Sequence, residues 1–118
     1  MDIKVTLSVL LLFLTGCSSV QADKPNYSGK EYFKNYALST CLADGYQSQE
    51  TSSDAAAAAR GYLEFGDLSL EAHTEATLLG REYLKREYKS KSGSALILMK
   101  CIDFYHSDEL EALYKKHL

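Results

Sequence analysis

Residues 94–106 read Ser-Ala-Leu-Ile-Leu-Met-Lys-Cys-Ile-Asp-Phe-Tyr-His, the most apolar stretch of the chain after its N-terminal leader. At helical spacing Leu98, Cys101, Ile102 and Tyr105 point one way, and Ile97 and Phe104 widen that face. Lys100 and Asp103 alone form a wettable stripe. A helix apolar on nearly every side belongs in the middle of a small fold, and this one is expected to be its centre. It is too short and too interrupted to cross a bilayer. How its cysteine, Cys101, is used depends on the other end of the chain.

Met1-Asp2-Ile3-Lys4 carries the amino terminus and one lysine, and the apolar run Val5–Leu14 follows. A short apolar core ending in small residues is a secretory signal peptide rather than a transmembrane helix. Its end, Leu14-Thr15-Gly16-Cys17, resembles a bacterial lipobox. In lipoproteins of that kind the cysteine is acylated and becomes the first residue of the mature chain. Val20-Gln21-Ala22 before Asp23 also fits an ordinary signal peptidase, so both cleavage sites stand. By resemblance to lipoprotein sorting, Ser18 after the cysteine favours the outer membrane. Either cleavage delivers the protein to the periplasm. The expected organisation is a signal peptide with lipobox over 1–16, a polar tether over 17–28 and a helical domain over 29–118.

Cys17 is thus used by lipid or lost with the leader. Cys41 and Cys101 remain, sixty residues apart, in an oxidising compartment. A disulfide is the default there, and two separately buried thiols are the alternative. Closing that loop would stabilise the fold by about 4 kcal/mol in the chain-entropy model. A mature chain of about a hundred residues supports one domain with a modest core. The net charge of −3 implies neither nucleic acid nor anionic lipid headgroups as partners. Nine tyrosines suit half-buried positions and interfaces.

Ser28 and Glu31 form a capping-box signature, and a helix is expected from there to about Asp44. It carries Tyr32, Phe33, Tyr36, Ala37 and Cys41 on one broad face, with Leu38 and Leu42 opposite. Gly45 is placed to end it in a left-handed cap. Tyr46–Glu50 reads as loop, and Thr51-Ser52-Ser53-Asp54 as the next cap. Ala55–Ala59 then favours a helix that a neighbour can approach closely. Ser69 caps a third helix over Leu70–Tyr88, with Ala72, Ala76, Leu79, Gly80, Tyr83 and Leu84 inward and Leu78 stranded among charges. Lys89-Ser90-Lys91-Ser92-Gly93 is a basic, small, flexible link to the apolar helix. A last helix follows Ser107, with Leu110, Leu113 and Tyr114 inward. The mature chain shows no convincing strand alternation. The expected fold is all-α, a compact bundle of four to five helices with one disulfide.

Catalytic signals are weak. His73, His106 and His117 lack metal-ligand spacing, and no cofactor is implied. His73 falls on the apolar half of its helix and reads as a satisfied core histidine. Cys101 and His106 are five apart and cannot form a local dyad; a bonded Cys101 is no nucleophile. The residues alone describe a periplasmic, helical, non-enzymatic domain.

Glu31-Tyr32-Phe33-Lys34-Asn35-Tyr36-Ala37-Leu38-Ser39-Thr40-Cys41-Leu42-Ala43-Asp44 resembles the first helix of the type VI secretion amidase immunity proteins. Lys89–Gly93, continued by Leu98-Met99-Lys100-Cys101-Ile102-Asp103, is similar to a later block of the same family, and Gly61-Tyr62-Leu63-Glu64 and Glu71-Ala72 match between them. The resemblance implies a periplasmic inhibitor of a papain-like cysteine amidase that cuts peptidoglycan stem peptides. It implies a helical homodimer in which Lys89, Ser90, Lys91, Ser92 and Gly93 form a loop entering the amidase cleft. On the residues alone that stretch is equally an ordinary solvated turn. Family members generally have a plain cleaved leader, which keeps the Val20-Gln21-Ala22 site open. Two other readings stand beside this one: a structural or assembly envelope lipoprotein without a toxin partner, and a small envelope hydrolase.

Overall fold

The computed structural model describes residues 26–118. The leader, Cys17, both cleavage sites and most of the tether fall outside them. The described residues form five helices and no strand: α1 Gly29–Gly45, α2 Gln49–Phe65, α3 Leu70–Leu84, α4 Ile97–Tyr105 and α5 Asp108–Lys116. The fold class is as expected, an all-α bundle with Cys41 joined to Cys101.

The centre of the bundle is α1, which packs against each of the other four helices. Its capping box is complete: the Ser28 N–H donates to Glu31 Oε2 at 2.7 Å, and the Glu31 N–H donates to Ser28 Oγ at 3.2 Å. Phe33, Ala37 and Cys41 lie in the core, and Tyr36, Leu38 and Leu42 pack on it from other sides. Apolar groups around most of its circumference let α1 face several partners at once.

The helix expected at the centre, here α4, lies at the edge instead. It has nine residues. Only Lys100, Cys101 and Phe104 are buried, while Leu98, Met99 and Ile102 are about half exposed. The wettable stripe is half wrong for a specific reason. Lys100 lays its aliphatic stem inward and its Nζ donates to Leu84 O at 3.1 Å, so it caps a carbonyl of α3.

Gly45 is not a left-handed cap. The chain leaves α1 through Tyr46 in extended conformation, φ −82° and ψ 135°. A Cβ on residue 45 would sit 2.4 Å from Ile97 Cγ2 and 2.8 Å from Leu84 Cδ2, so the glycine lets the start of α4 close onto the end of α1.

Helix α2 begins at Gln49 after Ser48, earlier than the expected cap at Thr51–Asp54. Ser52 Oγ instead donates to Ala43 O at 2.8 Å, tying α2 back to α1. Ala59 is buried and Ala55 and Ala56 are half-buried in a helix that packs chiefly on α1. Ser69 and Ser107 cap α3 and α5 as expected, accepting from Ala72 N–H and Leu110 N–H. Leu110 is fully buried, and Leu113 and Tyr114 pack against the core. His73 is in the core but only half satisfied. Its Nδ1–H donates to Ser69 O at 2.8 Å, while Nε2 is buried without a hydrogen-bond partner.

Candidate functional site

Helix α3 ends at Leu84, a turn earlier than its charge pattern suggested. Were it to continue, Leu84 O would accept from the backbone N–H of Tyr88. The Lys100 ammonium takes that carbonyl. Lys85 N–H keeps the regular helical bond to Arg81 O at 3.2 Å, and the chain tightens at the next residue, with Arg86 N–H bonded to Tyr83 O at 3.1 Å. Tyr88 then turns its hydroxyl to Asp103 Oδ2 at 2.5 Å, and that bond raises the tyrosine pKa above its ordinary value. Arg86 stacks over the Tyr83 ring, 3.6 Å from its centroid, and faces Glu109 at 3.7 Å. The stem of the α3–α4 connection is therefore held by side chains of both α4 and α5.

Beyond this stem, Lys89, Lys91, Ser92 and Gly93 are exposed and Ser90 is half-buried. The segment is a hydrogen-bonded turn rather than an open link. Gly93 N–H donates to Ser90 O at 3.2 Å, closing a turn over residues 90–93. Ser92 N–H donates to Ser90 Oγ at 3.2 Å, and the hydroxyls of Ser90, Ser92 and Ser94 link at 2.9 Å and 2.7 Å. Gly93 has φ +75° with open space around a would-be Cβ, so this glycine serves the backbone rather than packing. Leu96 also has positive φ, 54°, an unfavoured conformation for a branched side chain, and there the chain swings into α4. The exit from the turn meets an apolar shelf of Leu96, Ile97, Leu98, Met99 and Ile102 that runs to Gly45 and Tyr46.

The expected loop residues thus sit together in one largely exposed segment. Tyr88, Lys100 and Asp103 were not recognised from sequence as its supports. The available signal was Lys100 and Asp103 themselves, two charged residues three apart on an otherwise apolar helix. Leu78, the stranded leucine of α3, is exposed on another surface, beside Leu79 and Leu113 in a groove rimmed by Glu75, Glu82 and Lys116.

Cys101 is in the disulfide and buried. His73 is in the core, His106 is exposed and His117 pairs with Glu75 at 3.2 Å. Among the described residues no three His, Cys, Asp or Glu side chains gather as metal ligands, and no helix is long and apolar enough to cross a membrane. What the arrangement offers is a hydrogen-bonded polar turn beside an apolar shelf.

A family model described as type VI secretion system (T6SS) amidase immunity protein matches residues 31–114. No curated protein sequence matches the chain. Among solved structures, a chain of the Tae4/Tai4 effector–immunity system of Salmonella typhimurium is 40% identical with a TM-score of 0.74, covering 78% of this chain and 91% of that one. A chain from the type VI-secreted toxins and self-resistance proteins of Serratia marcescens is 28% identical with a TM-score of 0.71, covering 79% and 77%. A chain of the Tae4–Tai4 complex of Enterobacter cloacae, 24% identical with a TM-score of 0.69 over 75% and 90%, shares the fold.

Proposed function

The chain belongs to the type VI secretion amidase immunity family, and from that premise we propose that it neutralises a peptidoglycan cysteine amidase in the periplasm by inserting Lys89–Gly93 into the enzyme's catalytic cleft. The family's members are inhibitors rather than enzymes. The observation that carries the cleft reading is the turn itself. It is exposed, closed by its own hydrogen bonds, and mounted on a stem held by Lys100 and Asp103. A projection already ordered before binding loses little conformational entropy on docking. Lys89 and Lys91 steer it towards an acidic rim. Serine hydroxyls and backbone amides can meet polar groups inside a cleft.

The test replaces Lys89, Ser90, Lys91 and Ser92 by alanine. The melting curve should barely move, since exposed changes usually stay within about 0.5 kcal/mol. Inhibition of the purified Tae4 effector of Salmonella typhimurium should weaken by about thirtyfold or more, as for contacts that dominate an interface. A folded variant that inhibits as well as wild type would remove this loop from the mechanism.

The remaining organisation is part of the same proposal. Signal peptide 1–16 exports the chain, Cys17 is acylated and holds it at the outer membrane, and tether 17–28 leads to the immunity domain 29–118, which acts as a homodimer. Cys17→Ala should abolish membrane fractionation and leave the helical domain folded. Wild-type protein recovered soluble and beginning at Asp23 would show that the ordinary cleavage site is used.

A further inference from the structure

Lys100 is the least expected residue of α4. It is 9% exposed, and its ammonium meets Leu84 O at 3.1 Å and lies 5.7 Å from the centroid of the Tyr88 ring. Methionine would fill the same volume without the cost of taking a charge out of water. One helical turn further on, Asp103 accepts from the Tyr88 hydroxyl at 2.5 Å. Leu84 and Tyr88 are the two ends of the stem that leads up to the turn over residues 90–93. The two polar residues of α4 therefore grip the stem at both ends. Between them sits Cys101, bonded to Cys41 on α1, so the gripping helix is itself fixed to the bundle.

We infer that Lys100, Asp103 and Tyr88 are positioning residues for the proposed inhibitory loop, holding it in its binding conformation in the free protein. The inference rests on the cleft reading given above. Lys100 does this by anchoring. By donating to Leu84 O it ties the last residue of α3 to α4, just before the chain leaves the helix through Lys85 and Arg86. Asp103 then fixes where the outgoing chain lies, through the hydroxyl of Tyr88. The other limb is set by the positive φ angles of Gly93 and Leu96, which return the chain to the head of α4. None of the three gripping residues has to touch the amidase. Their effect is on the fraction of molecules whose loop is ready to bind, and apparent affinity scales with that fraction.

The experiment compares Tyr88→Phe, Asp103→Ala, Asp103→Asn and Lys100→Met in the oxidised protein, with the four-alanine loop variant as control. Backbone order at Ser90, Ser92 and Gly93 is measured by NMR relaxation in the free protein, beside melting curves and inhibition of Salmonella typhimurium Tae4. Tyr88→Phe and Asp103→Ala should lower order at those amides and weaken inhibition by about three- to tenfold, the range for one solvent-accessible charge-assisted bond. Asp103→Asn keeps an acceptor for the tyrosine and should recover most of both. Lys100→Met should loosen residues 85–93 while the remaining helices keep their order. Unchanged loop order in Tyr88→Phe and Asp103→Ala would overturn this inference and leave the cleft reading intact. A loosened loop with undiminished inhibition would overturn it too. Full inhibition by the four-alanine variant would instead sink the cleft reading, and the positioning role with it.

Discussion

Two glycines separate backbone propensity from close packing. Gly61 lies inside α2, and no heavy atom comes within 4 Å of a Cβ built there. Glycine inside a helix costs about 0.8–1 kcal/mol relative to alanine. Gly61→Ala should therefore stabilise by about 0.8 kcal/mol, raising Tm by about 3–6 °C in a domain of this size. Gly45 closes α1, where the gain in propensity is smaller, about 0.5 kcal/mol. Against it stand Ile97 Cγ2 at 2.4 Å and Leu84 Cδ2 at 2.8 Å. The leucine tip can rotate away. The isoleucine methyl is attached directly to a β-branched carbon with one favoured χ1, so Ile97 moves only with its backbone. Overpacking of this kind costs about 1–3 kcal/mol, which leaves Gly45→Ala destabilised by about 0.5–2.5 kcal/mol and lowers Tm by about 2–20 °C. Ile97 opens α4, so the shift also reaches Lys100 and Asp103. Inhibition at 25 °C should weaken although the protein is still folded there. Calorimetric melts of both variants, with the disulfide intact, supply the comparison. A Gly45→Ala protein melting at or above wild type would show that the head of α4 yields freely, and the argument for close approach would be wrong.

The remaining expectations concern the covalent and ionic ties. Replacing Cys41 and Cys101 by alanine should cost about 4 kcal/mol by the chain-entropy model, and thiol labelling of unreduced, unfolded wild type should modify neither cysteine; full labelling of both would refute the bond. Glu75 accepts from His117 and Lys116, and Glu111 pairs with Lys30 at 2.5 Å. These partners hold both carboxyls below their ordinary value of 4.5, with the His117 bond first for Glu75 and the Lys30 bond first for Glu111. A depressed carboxyl stabilises the fold above its unfolded pKa and loses that contribution as pH falls through its folded one. Lys30 is raised above 10.5 by its bond to Glu111, so its contribution is whole below that value and lost as pH rises through the folded pKa. The Lys30–Glu111 tie of α5 to α1 is thus complete between about pH 4.5 and 10.5. Glu75→Gln should flatten the acid limb of the stability curve, and an unchanged limb would place the acid sensitivity elsewhere.

Much of the fold was legible because it is local. Ser28, Ser69 and Ser107 each bond an N–H three residues on, so a short stretch of sequence carries the whole cap. The inward faces of α3 and α5 were legible from periodicity, since each packs one side. The centre was not. Residues 94–106 are more apolar than α1, but apolar content measures the tendency to be buried and not the number of neighbours available. Helix α4 has nine residues and lies at the edge, so half of that surface stays exposed. Gly45 was misread because a glycine at a helix end has two uses, positive φ and close approach, and only Ile97 and Leu84, remote in sequence, decide between them. The end of α3 was missed for the same reason, since the side chain that anchors its last carbonyl lies sixteen residues away.

This placement of α4 gives the disulfide a second task. An isolated nine-residue helix is far too short to hold its shape in water. Of its larger apolar side chains only Phe104 is fully buried, and Leu98, Met99 and Ile102 contribute less because they remain about half exposed. An edge helix held so lightly would be among the first elements to open locally. Yet it is the helix that grips the loop stem through Lys100 and Asp103. Crosslinking Cys101 to Cys41 removes the weakness at its source, because Cys41 belongs to α1, the helix that touches every other. Opening of α4 then cannot carry Cys101 away from α1. On this argument reduction of the bond should disturb the loop before it unfolds the bundle: order at Ser90 and Ser92 falls first, and cooperative melting of α1–α3 follows at higher temperature. Simultaneous loss of both would mean that the disulfide supports the bundle as a whole and gives α4 no special protection.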